Sequence, residues 1–120
     1  MAELRDETRH RKRVNVRFGQ DRPTRIAFTD DISAQGFFIK SGVVFNPGTL
    51  LLVELTLPDR SLVQIEARVR WAKRVPPTMI RRMRGGMGMR IHRILQGEDA
   101  YRDFCTELDG LHNDRTAVSG

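Results

Sequence analysis

Apolar residues recur at every second position through most of the first three-quarters of this chain. That spacing puts one face of a β-strand on a core. Val14, Val16 and Phe18 alternate with Asn15 and Arg17, and Ile26 and Phe28 continue the pattern after the turn-prone stretch 19–23. Phe37 and Ile39 share a face beyond Gly36, then Leu51, Val53, Leu55 and Leu57 alternate up to a turn at Pro58, Asp59 and Arg60. The clearest run is Val63, Ile65, Ala67, Val69 and Trp71, interleaved with Gln64, Glu66, Arg68 and Arg70, and its phase puts Trp71 in the core. Met87, Met89 and Ile91 close the series. Strands this short, with turns and no helices between them, pair antiparallel, and closing the sheet removes its exposed edges. The period then changes. Ala100, Tyr101, Phe104, Cys105, Leu108 and Leu111 form one stripe of a helix opened by Glu98 and Asp99, with Gly110 as its stop signal. The pattern predicts an all-β-dominated domain over residues 9–111: six or so short antiparallel strands in a small barrel or sandwich, followed by one C-terminal α-helix. A flexible arm (1–8) and a disordered tail (112–120) flank it.

Composition narrows the function classes. A chain of 120 residues, 39% of them hydrophobic, has room for one packed domain. It contains no apolar run long enough to span a membrane. Its charged N-terminus offers no secretory signal, and the single cysteine, Cys105, fits a reducing cytoplasm. The net charge of +6 is distributed in blocks. Residues 1–25 carry +4 and residues 26–66 carry −3; residues 67–97 hold nine basic and no acidic side chains, and 98–120 carry −4. Two basic blocks that met in the fold would suit a phosphate-bearing partner. Eighteen of the 21 basic residues are arginine, whose guanidinium forks onto phosphate and onto the guanine edge. Enzyme signatures are lacking. There is no phosphate-binding P-loop, no GxSxG, no HExxH and no CxxC; His10, His92 and His112 have no metal-ligand spacing. The expectation is a binding protein without catalysis, metal or cofactor.

Two segments carry candidate chemistry. One is Arg9-His10-Arg11-Lys12-Arg13, ahead of the first long strand; the other is Asp31-Ile32-Ser33-Ala34-Gln35-Gly36, between two strands. Taken singly, the first also fits a solvated basic arm and the second an Asx turn. Together, in this order and spacing, they resemble the PilZ domain, the bacterial receptor module for cyclic di-GMP. That family pairs an RxxxR segment, matched by Arg9 and Arg13, with [DN]xSxxG, matched by Asp31, Ser33 and Gly36. The strand ending at Trp71, the segment 86–91 and the C-terminal helix extend the resemblance over roughly residues 5–110. It implies a six-stranded antiparallel β-barrel with one C-terminal α-helix, in which the arginines bind phosphate and guanine and the second motif binds a guanine base. It also suggests His10, Arg11, Trp71 and Gly88 as additional contacts.

The residue types suit such a ligand. Arg9 and Arg13, four apart, share a face in either an extended or a helical segment. A desolvated guanidinium stacked on a ring contributes ~1–2 kcal/mol, and a charge-assisted hydrogen bond about 1.5–3 kcal/mol. The Asp31 carboxylate only accepts hydrogen bonds, so it suits the donor edge of guanine rather than phosphate. Ser33 can serve the ligand or its own turn, and Gly36 can allow a positive φ or a close approach. The function expected is a single-domain cyclic di-GMP receptor or adaptor. Its arginine segment is mobile until ligand orders it, and it signals to an unidentified downstream protein. The alternatives are a PilZ-like adaptor without nucleotide, or a small basic barrel that binds nucleic acid. Against the last, single-strand binding uses exposed aromatics, and most of the eight here lie in phase with apolar faces. The connection from Pro76 to Gly86, with Arg81, Arg82 and Arg84, is longer than a hairpin needs and could extend the basic surface.

Overall fold

Among the described residues, seven strands and one α-helix follow the two periods of the sequence. They are β1 (His10–Arg11), β2 (Asn15–Gly19), β3 (Arg25–Ile32), β4 (Gly36–Lys40), β5 (Leu50–Thr56), β6 (Leu62–Lys73), β7 (Gly86–Gln96) and α1 (Glu98–Ser119). The computed structural model describes residues 9–79, 82, 83 and 85–119, with side chains as far as Gly110. The expected arm 1–8, residue 120, and Arg81 and Arg84 of the long connection lie outside the described residues.

Every pairing is antiparallel, in the order β3, β2, β5, β6, β7, β4, and β4 pairs back onto β3. This is the closed six-stranded barrel, with β1 as a short extra strand on β3. Its interior holds the alternating residues of the sequence pattern: Val16 and Phe18, Phe37 and Ile39, Leu51, Val53 and Leu55, Val63 to Val69 at every second position, Met87 and Met89. Register shifts on the long pair β6/β7, at Gln64/Ile65, Glu66/Ala67 and Val69/Trp71, bend the two strands around the core.

Three expectations need correction. The inward residues of β3 are Ala27, Thr29 and Ile32, whereas Ile26 is 75% exposed and Phe28 also faces out. Pairing decides this: Val16 stands opposite Ala27 and exposed Arg17 opposite Ile26, so the strand's phase is one residue off its most apolar positions. Trp71 is half exposed, because the shift at Val69/Trp71 inserts Arg70 as an extra residue and flips the tryptophan outward. Gly110 does not stop the helix, which takes in residues 112–119, given above to the tail.

Gly97, at φ +84°, turns the chain from β7 into α1, and the helix presses Tyr101, Phe104 and Cys105 into the core. Glu98 and Asp99 occupy its first turn, where negative charge is favoured.

Candidate functional site

The arginine segment is fixed by one threonine. Thr29 faces the barrel interior where β1 ends and β2 has not begun. Its hydroxyl accepts from the Val14 amide at 2.8 Å and donates to the Lys12 carbonyl at 2.7 Å. The Thr29 amide donates to the Val14 carbonyl, and the Lys12 amide to the Asp30 carbonyl. These bonds replace the ladder across the break, so residues 10–13 run alongside β3 with Arg11 opposite Asp31. His10 and Arg11 thus pair with β3 as a two-residue strand, and the Lys12 amide is bonded just beyond it.

At its end Arg9 reaches Asp31. Its Nη2 donates to Asp31 Oδ1 at 2.7 Å and its Nε to the same oxygen at 3.2 Å. One residue from each motif thus meets the other. Asp31 points outward because Asp30 is the extra residue between Thr29 and Asp31 in the β3/β4 register.

Ser33 and Gly36 do different work. Ser33 is buried; its hydroxyl accepts from the amides of Gln35 and Gly36 and donates to the Gly36 carbonyl. It shapes the turn that presents Asp31. At Gly36 a Cβ would lie 2.1 Å from the Met89 carbonyl oxygen, so glycine here lets β4 and β7 approach, and its φ is not positive.

The Trp71 indole crosses Gly88, where a Cβ would sit 2.1 Å from the indole Nε1, and it stacks on Phe38 at 5.2 Å between ring centroids, while half of the tryptophan stays exposed. Trp71, Phe38 and Gly88 line an open cavity of about 390 Å³ together with Arg9, Asp31, Arg70, Met89 and Arg90. Gly88 contributes space rather than a contact. Arg70, Arg90 and Phe38 were not singled out from sequence. The signal for the arginines was the block of nine basic residues without an acid; nothing marked Phe38, whose neighbours face the core.

Arg13 belongs to an adjoining cavity of about 370 Å³, lined also by Phe28, Asp30, Lys40 and Ser41. Its guanidinium lies 3.8 Å above the centre of the Phe28 ring. The two arginines of the first motif therefore line neighbouring cavities and do not share one. Arg11 is exposed, 3.8 Å from Asp30. His10 faces away from both cavities and pairs with Asp109 on α1. The arrangement sets three guanidiniums around one carboxylate and one indole face. It can take a flat base with a donor edge on Asp31 and Trp71, and phosphate on the arginines. Among the described residues no group of three or more His, Cys, Asp or Glu could hold a metal ion, and no helix is long and apolar enough to cross a membrane.

The sequence model of the PilZ domain matches residues 3–106. No curated protein matches the chain. Among solved structures it is similar to the Bacillus subtilis inhibitor of motility (MotI/DgrA), with a TM-score of 0.69 and 20% identity. The match covers 87% of this chain and 50% of that one, so this chain spans half the length of its structural neighbour. At that identity the likeness concerns the fold.

Proposed function

The chain belongs to the PilZ domain family, and on that premise we propose that it is a receptor for cyclic di-GMP that reports occupancy to a separate protein. Members of the family act as receptors and adaptors. The observation that carries the reading is the meeting of Arg9 and Asp31 at 2.7 Å beside the exposed face of Trp71. In this reading a guanine stacks on Trp71 and gives its N1–H and N2–H to Asp31. A carboxylate has about four acceptor positions, so Asp31 can keep Arg9 while it takes the base. Arg9, Arg70 and Arg90 face the phosphates, and Arg13 over Phe28 offers a second cation–π surface to the other half of the dinucleotide. Ser33 and Gly36 act through the turn, and Gly88 by leaving room for Trp71. Because His10 and Arg11 are already paired to β3, ligand reorients the arginine side chains.

That prior pairing also favours a second reading, an adaptor that works by protein contacts alone. Isothermal titration with cyclic di-GMP, cyclic di-AMP and GTP separates the two. The receptor reading expects binding of cyclic di-GMP in preference to the others. Arg9→Ala and Asp31→Ala should each weaken it by about ten- to hundredfold, the value of one charge-assisted hydrogen bond. No heat from the unaltered protein would leave the adaptor reading.

A further inference from the structure

Both motifs of the site are held from behind by one element. His10, inside the arginine segment, has its ring 14% exposed and donates from Nε2 to Asp109 Oδ1 on α1 at 2.6 Å. In the other motif the Ser33 carbonyl oxygen accepts from the buried Tyr101 hydroxyl, also on α1. Tyr101 and Asp109 are eight residues apart, about 12 Å along the helix axis, so one rigid helix touches both motifs. Neither residue lines either cavity.

We propose that α1 is a clamp, in which Asp109 acting through His10, and Tyr101 acting through Ser33, are positioning residues for the dinucleotide site. The proposal rests on the receptor reading above. The need for a clamp is local. β1 is two residues long, too short to hold an arm of four like charges by its own ladder. Its outer anchor is the imidazole, which α1 holds through a carboxylate. With the arm pinned, Arg9 stays against Asp31, and the ordering of the segment precedes the ligand. Coupling of this kind is reciprocal. A ligand that engages Arg9 and Asp31 stiffens β1 and the Ser33 turn together, and so tightens α1, which carries occupancy to the opposite side of the motifs.

The test uses the full chain with Asp109→Asn and Asp109→Glu. Asp109 is 53% exposed, so the change leaves the core intact. In the protein without ligand, hydrogen exchange at the Lys12 amide, which is bonded to the Asp30 carbonyl, should speed up about fivefold in Asp109→Asn, while exchange at Val53 and Ile65 stays unchanged. Asp109→Glu should restore the slow rate. In titration Asp109→Asn should bind cyclic di-GMP about fivefold more weakly, equivalent to roughly 1 kcal/mol. Ligand should protect α1 amides in the unaltered protein and fail to do so in the variant. Unchanged exchange at Lys12 in Asp109→Asn overturns the clamp, as does unchanged affinity in a variant that still binds. If the unaltered protein takes no dinucleotide while Lys12 exchange still responds to Asp109, the receptor reading falls and the positioning role falls with it, leaving only the hold of α1 on the arm.

Discussion

At the residue scale, the candidate site depends on two glycines and a tryptophan whose roles no motif states. Gly36 was legible as part of a motif, but its work is to let β4 and β7 approach at the Met89 carbonyl. Gly88 is the floor beneath Trp71. Replacing it with alanine forces the indole off Phe38, since the added carbon has no space. Gly88→Ala should cost about 1–3 kcal/mol of stability by overpacking. It should also shift the tryptophan emission and weaken ligand binding. Urea unfolding followed by Trp71 fluorescence measures the stability and the emission, and an unchanged spectrum with unchanged midpoint contradicts the stacking. The outward turn of Trp71 was hidden from the sequence because period two carries the reading straight through a register shift. A single extra residue, Arg70, reverses every inference beyond it. The same limit applies to Ile26 and Phe28, whose phase is set by the partner strand.

At the scale of elements, the strands and the helix were legible because each has its own period and clear turn signals. The join between β1 and β2 was not. It depends on Thr29, an ordinary polar residue in a strand, whose hydroxyl substitutes for two missing ladder bonds. Thr29→Val keeps the shape and leaves the Val14 amide and Lys12 carbonyl without that partner. It should destabilise the protein by about 1–3 kcal/mol and loosen residues 10–13 first. Amide exchange resolved along the chain measures this; uniform loosening of the whole barrel would contradict it. On α1, burial, helped by the Asp109 charge, pushes the Cys105 thiol above its ordinary value, outweighing the hydrogen bond with Tyr101, which lowers it. The folded protein therefore keeps this proton where the unfolded chain would lose it. The contribution to stability is fully present below about pH 9 and is lost as pH rises further. Native protein at pH 8 should resist thiol reagents until unfolded; rapid labelling of the folded state would contradict the burial.

At the scale of the whole molecule, the alternating charge blocks become surfaces. Arg9 from the first basic block and Arg70 and Arg90 from the second line one cavity, so the two blocks do meet. Acidic residues collect on α1, at Glu98, Asp99, Asp103, Glu107 and Asp109, with Arg102 paired to the first two. The sequence left open whether the basic blocks converge, because the second motif lies in the acidic block 26–66 and neither motif lies in the basic block 67–97. It could not show that Arg13 faces a neighbouring cavity, since four residues of spacing fix a face only while the strand runs unbroken.

The central claim is that Arg9, the Asp31 turn and Trp71 form one recognition surface for a guanine-containing dianion. The most direct measurement is a two-dimensional amide NMR titration of the full chain with cyclic di-GMP. Shifts should be confined to residues 9–13, 31–36, the Trp71 indole, Gly88 and Arg90, with smaller ones at Tyr101 and Asp109. Shifts confined to the 19–24 turn and the β2/β5 side of the barrel, or no shifts at saturating ligand, would contradict it.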